Sequence, residues 1–128
     1  MYITYNAIAM GITFVKATIK NPQKPTKEKE IEFLVDSGAI FSVVDGKLLE
    51  KLGIKPHREQ EFTLADGTKV KRKVGDAIFQ IVGIQGAAPV IFGQRGDSQL
   101  LGVFTLEALG FVLDPFKRKL RPMKLWLA

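Results

Sequence analysis

The chain contains no cysteine. Disulfides, thiol nucleophiles and cysteine-built zinc sites are therefore excluded. It has a single histidine, His57. A serine–histidine–aspartate triad, and most metal sites, would have to use that one ring. His57 lies in the polar stretch Lys55-Pro56-His57-Arg58, which reads as surface loop. No apolar run approaches the ~20 residues that span a bilayer as a helix, so no membrane partner is expected. Met1 to Met10 lacks a basic segment followed by an apolar block. No secretory signal is expected from it, and the expected location is cytoplasmic. Glycines Gly83, Gly86, Gly93 and Gly96 lack the lysine and the strand-to-helix setting of a phosphate loop. No metal cluster appears, and no cofactor is expected.

What remains is an ordinary globular composition. The 128 residues are 46% hydrophobic and 25% charged, which suits one domain, residues 1–128, with a true core. The formal charge is +6, with basic residues gathered at Lys69–Lys73 and Lys117–Lys124. No aromatic platform lies between those charges. They read as solvated surface, and nucleic acid is not an expected partner. Arg95-Gly96-Asp97 matches an adhesion tripeptide, which is read as chance in a chain with no secretory signal.

The periodicity is mostly that of strands. Gly11–Lys20 alternates apolar and polar residues, Asn21–Thr26 reads as a proline-bearing loop, and Glu30–Val35 returns as a strand. Glu28, Glu30 and Glu32 alternate on one face and read as solvent-facing. Asp45–Gly53 predicts a short helix with Asp45 as N-cap and Gly53 as its stop. Glu61–Val74 predicts a hairpin turning at Asp66-Gly67. Asp76–Val82 and Ala88–Phe92 predict two more strands. Val103–Leu109 predicts a second short helix stopped by Gly110. Phe111–Asp114 and Lys119–Trp126 predict terminal strands about a turn at Pro115. The expected class is all-β: a small barrel or sandwich with one or two short helices.

The informative stretch is Phe33-Leu34-Val35-Asp36-Ser37-Gly38-Ala39. A carboxylate directly after three apolar residues is costly to bury unless it is bonded or has a role. Ser37 and Gly38 favour a tight turn. An acid held by a small rigid loop at the end of a core strand is how a site preorganises a catalytic group. Asp-Ser-Gly by itself is also an ordinary turn sequence.

The order of features around it is more specific. The Asp-Ser-Gly turn is followed by a short helix, a hairpin at Ala65-Asp66-Gly67, then Leu100-Leu101-Gly102 and a second helix. This order resembles the retropepsin-like aspartic peptidases, the cellular and archaeal-type members more than the viral ones. The resemblance covers about Ile31 to Leu120. It implies a small acid-protease barrel that works as a homodimer. It implies that Asp36 is the catalytic aspartate and Ser37 the hydroxyl residue that braces the two active-site loops. Gly38 would allow close backbone approach, and Ala39 would be the small residue near the substrate backbone. Ala65, Asp66 and Gly67 would lie at or near the tip of the flap that closes over a peptide or protein substrate. Leu100, Leu101 and Gly102 would pack under the catalytic loop, with Gly102 opening the helix.

The chemistry needs two carboxylates that share one proton, which implies an acidic optimum. Asp45, Asp66 and Asp97 do not repeat the Asp-Ser-Gly motif. One chain therefore carries half a site, and two-fold symmetry would bring two copies of Asp36 together. The apolar segment Leu120–Leu127 is a candidate for the dimer interface or for plain core. If the hairpin covers the cleft, its basic residues Lys69, Lys71, Arg72 and Lys73 would favour acidic substrates. The alternative function is a non-catalytic peptide- or protein-binding module on the same fold.

Overall fold

The computed structural model describes residues 13–114, 116–117, 119–124 and 127. The expectations for Met1–Met10, for a strand beginning at Gly11, for Pro115 and for Trp126 lie outside these residues. The elements run β1 (Phe14–Asn21), β2 (Lys24–Val35), β3 (Ser42–Asp45), α1 (Gly46–Lys51), β4 (Arg58–Thr63) and β5 (Lys69–Ile81). They continue through β6 (Ile84–Gly93), β7 (Leu100–Leu101), α2 (Val103–Ala108), β8 (Phe111–Asp114) and β9 (Lys119–Pro122).

Seven strands form one sheet in the order β1-β2-β7-β3-β6-β5-β4, and β1 also pairs β5. Strands β1, β2, β7, β3, β6 and β5 thus close on themselves, which removes their free edges. β4 hangs from β5 as the outer arm of a hairpin. β8 and β9 make a separate antiparallel pair.

The closed ring encloses a core in which Phe33, Phe79, Phe111, Ile19, Leu49, Leu101 and Leu120 are almost wholly buried. Phe33 and Phe79 meet at 6.2 Å between ring centroids. Leu120 belongs to the C-terminal segment weighed above as interface or core, and it packs into the chain's own core. On β1, buried Val15, Ala17 and Ile19 alternate with more exposed neighbours, the period-two pattern of a strand with one face inward. Glu28, Glu30 and Glu32 of β2 face solvent.

Four element boundaries differ from the sequence reading. The loop expected at Asn21–Thr26 shrinks to a turn. Asn21 accepts from the Gln23 N–H at 2.9 Å and donates to the Leu52 carbonyl at 2.8 Å, so its side chain replaces backbone pairing locally. Lys24 pairs Asn21 and Glu28 pairs Lys20. Pro25 falls in the bulge between those pairs, where its missing N–H is not needed. The break expected near Gly75 is absent, and β5 runs unbroken while changing partners. A Cβ at Gly75 would stand 3.0 Å from the Lys55 carbonyl oxygen and from the Phe92 ring, so this glycine permits close packing rather than a turn. β6 begins at Ile84, earlier than expected, because Val82 and Gly83 both have positive φ (49° and 79°). They make a two-residue hairpin turn between Ile81 and Ile84. β9 ends at Pro122, short of the expected strand, where it pairs Phe111, the first residue of β8.

The helices match their expected caps. Asp45 accepts from the Lys47 N–H at the start of α1, and Gly53 follows its end with φ 78°. Gly110 follows α2 with φ 77°.

Candidate active site

β2 carries Phe33 and Val35 into the core and then delivers Asp36, half-buried, to its end. The strand is clamped there from one side by β7, in parallel register Leu34↔Leu100 and Val35↔Leu101. The last rung of this clamp is the Asp36 N–H, which donates to the Leu101 carbonyl at 3.1 Å. The chain then turns at once. The Gly38 N–H donates to Asp36 Oδ1 at 2.9 Å, and the Ala39 N–H to the Asp36 carbonyl at 3.1 Å. One carboxylate oxygen of Asp36 is thereby fixed by its own loop.

The rest of the loop is strapped to α2. The Val103 N–H donates to the Ala39 carbonyl at 2.8 Å, and the Phe104 N–H to the Ile40 carbonyl at 2.9 Å. These are two of the unpaired donors at a helix start, so helix and loop each satisfy the other's free groups. Gly102 is the N-cap residue of α2. A Cβ on it would stand 2.7 Å from the Phe41 carbonyl carbon and oxygen and 2.8 Å from the Ile40 oxygen. Only a glycine lets the loop and the helix approach this closely.

One part of this bracing escaped the sequence reading. Ser42 and Thr105, 0% and 1% exposed, share a 2.6 Å hydrogen bond between their hydroxyls. The Gly102 N–H also donates to Ser42 Oγ at 3.0 Å. The signal for it was a lone hydroxyl among Phe41, Val43 and Val44. Such a residue must find a partner if it is buried, but nothing local names Thr105 as that partner.

Asp36, Gly38, Ala39, Leu100, Leu101 and Gly102 are therefore brought together by direct hydrogen bonds, strand pairing or steric contact. Ser37 is exposed and lines a cavity of about 110 Å³ beside Val103, Leu106 and Met123. Ala65, Asp66 and Gly67 form the tip of the β4–β5 hairpin. There the Thr68 N–H donates to Asp66 Oδ1 at 2.8 Å, the Gly67 N–H to the Leu64 carbonyl, and the Leu64 N–H to the Thr68 carbonyl. Hydrogen bonds from Thr68 hold the Asp66 carboxyl below the usual carboxylate range. The hairpin reaches the loop through Phe62, whose ring meets Phe41 edge-on at 6.4 Å, and Phe41 in turn meets Phe104 at 6.2 Å.

The hairpin's stem has its own anchor, also missed from sequence. Arg72 donates from Nε and Nη2 to the two Asp97 carboxylate oxygens at 2.8 and 3.1 Å. The Gln94 N–H adds a further bond to Asp97 at 2.8 Å. Arg72 holds the Asp97 carboxyl below its ordinary range, and Asp97 raises Arg72. Asp97 of the Arg-Gly-Asp tripeptide thus ties a turn to the hairpin. His57 is exposed, with Nε2 3.3 Å from Asp76, as a surface residue. Among the described residues no group of three or more His, Asp or Glu side chains is arranged to hold a metal ion, and no helix is long and apolar enough to cross a membrane.

Comparison with known proteins gives a consistent result. The aspartyl protease family model matches residues 15–102. Among solved structures, the EIAV protease complexed with the inhibitor HBY-793 superposes with TM-score 0.55 at 20% identity, covering 98% of this chain and 100% of its own. The simian foamy virus (mac) protease gives 0.53 at 21% identity, covering 74% and 92%. A retropepsin-like aspartic protease from Rickettsia conorii gives 0.52 at 23%, covering 81% and 77%. The comparison with curated proteins gives no match. With a barrel of retropepsin-like architecture and a family match over most of its length, the chain belongs to the aspartyl protease family.

Proposed function

We propose that the protein is an aspartic endopeptidase that works as a homodimer, with Asp36 of each subunit forming one catalytic pair. The observation that carries this reading is the setting of Asp36: a carboxylate at the end of a core strand, with one oxygen fixed by the Gly38 N–H and its loop strapped to both β7 and α2. The N–H bond alone is a turn feature that Asp45, Asp66 and Asp114 share, and a structural turn aspartate does not need the strapping to β7 and α2. A reacting group does, because small misplacements are expensive in rate.

In this reading the two carboxylates share one proton, since like charges so close do not both ionise. The ionised member takes a proton from a water molecule, and the protonated member polarises the carbonyl of the scissile peptide. Water adds to that carbonyl, and the tetrahedral intermediate collapses as the leaving amine is protonated. Ser37, exposed beside Asp36, is the residue that braces one subunit's loop against the other's. The β4–β5 hairpin is the flap, and Ala65, Asp66 and Gly67 are its tip over the substrate. The unit spans residues 1–128, and its setting is the cytoplasm.

The test is cleavage of a peptide library by the wild-type chain and by Asp36→Asn. The expected outcome is loss of activity by about 10³-fold or more in the variant, with circular dichroism and dimer mass unchanged. Equal cleavage by both would rule the reading out.

A further inference from the structure

Strand pleating divides the basic residues of the β4–β5 hairpin between two faces. Lys69, Lys71 and Lys73 stand opposite Thr63, Glu61 and Glu59 on one face, and Arg72 lies on the other. Arg72 is neutralised by Asp97, and Lys69 Nζ lies 3.9 Å from Glu61. The four do not act as one block, and the expectation that together they favour acidic substrates does not survive this arrangement. Lys73 has a different setting: it lines a cavity of about 290 Å³.

Three elements remote in sequence build that cavity, and each brings one cation: Lys47 from α1, Lys73 from β5 and Arg95 from the turn after β6. Among the described residues none of these three is in an ion pair. Two carboxylates also line the cavity. Asp45 is engaged, its Oδ1 accepting the Lys47 N–H at 3.1 Å, while Glu50 is exposed. Three cations against two carboxylates leave one positive charge in excess, and a cleft focuses such a field. The positions are set by the fold. A Cβ on Gly46 would stand 3.2 Å from the Gly93 carbonyl oxygen, so α1 and the end of β6 lie in close contact. The Arg72–Asp97 pair, one residue from Lys73 and two from Arg95, ties the turn to the hairpin. Charges held this way do not have to be gathered when a ligand arrives.

We infer that this cavity binds a small phosphate-bearing molecule, with Lys47, Lys73 and Arg95 holding the phosphate group and Phe92 forming the wall beside the organic part. A phosphate monoester carries about −1.5 to −2 charges and three strong acceptor oxygens, which answers three cations arriving from three elements. A carboxylate has one charge and two oxygens and would leave a cation unanswered. Arginine adds a two-pronged fork suited to phosphate oxygens. The volume falls at the small end of ligand sites, roughly 300 Å³, which fits a small phosphomonoester rather than a protein segment. None of the lining residues belongs to the Asp36 loop, so occupancy of this cavity does not depend on the peptidase reading.

The test is titration of the full chain with inorganic phosphate and with phenyl phosphate at fixed ionic strength, followed by amide chemical shifts and by calorimetry. Saturable binding is expected, with shifts gathered at Gly46, Lys47, Lys73, Gln94 and Arg95, and with phenyl phosphate the tighter of the two. Lys73→Gln and Arg95→Gln are each expected to weaken binding by about 10-fold, and Glu50→Gln to tighten it. Lys29→Gln, on the exposed face of β2, is expected to leave it unchanged. All four positions are exposed, so circular dichroism is expected to match wild type. Absence of saturable binding by either anion, or shifts centred elsewhere on the chain, would overturn the inference. So would an equal loss in Lys29→Gln, which would mean general attraction to a basic protein, or weaker binding in Glu50→Gln, which would point to a cationic ligand.

Discussion

Single residues set how closely the site's parts approach. Gly102 is the sharpest case, because the added methyl of an alanine would meet backbone atoms of Phe41 at 2.7 Å, and backbone cannot swing aside as a side chain can. Gly102→Ala is expected to destabilise the fold by about 1–3 kcal/mol, read as a lower thermal midpoint. Ser42 has a related role. Ser42→Ala leaves the buried Thr105 hydroxyl and the Gly102 N–H without their partner. The expected loss is about 1–3 kcal/mol in a urea melt, while Ser42→Thr is expected to recover part of it. Val82 behaves in the opposite sense. A β-branched residue at φ 49° occupies a region that asparagine tolerates far better. Val82→Asn is expected to stabilise by about 0.5–1 kcal/mol, and no gain would mean the turn adapts to valine.

At the scale of elements, the hairpin depends on the Arg72–Asp97 pair. Asp97 is held below its ordinary range in the folded chain, Arg72 being the main cause. The folded state therefore binds this proton less readily than the unfolded state. The contribution is fully present above the unfolded value of about 4 and is lost as pH falls through the lower folded value. Arg72→Ala is expected to raise amide exchange in β4 and β5 at neutral pH, and its difference from wild type is expected to fade below about pH 4. A difference that persists unchanged in acid would contradict this sign.

The same element scale shows what was legible in the sequence. Asp36 was, because an acid directly after Phe33-Leu34-Val35 breaks a core pattern, and both helices were, because Asp45, Gly53 and Gly110 are local punctuation. The seating of Leu100 and Leu101 under the loop followed from the resemblance alone. Ser42–Thr105 and Arg72–Asp97 were not legible, since their partners are 63 and 25 residues apart and no local pattern names them. Pro25 and Gly75 misled in the other direction. Both are breakers by composition, and here a bulge absorbs one and a tight packing contact requires the other.

For the whole molecule, the chain supplies one Asp-Ser-Gly turn on one closed barrel. Every part of the bracing seen around Asp36, from β7 to α2, lies within one chain. The Asp-Ser-Gly sequence occurs once in the chain, and the proposed water activation needs two such carboxylates. The proposed reading binds catalysis to assembly: in it the active unit is a pair of chains, and one defective subunit would silence its partner. The direct measurement is peptide cleavage by wild-type and Asp36→Asn chains mixed and re-equilibrated at varying ratio and constant total concentration. A dyad shared across the dimer predicts activity that falls as the square of the wild-type fraction. Activity that falls only in proportion to that fraction would mean each subunit works alone, and would contradict the account.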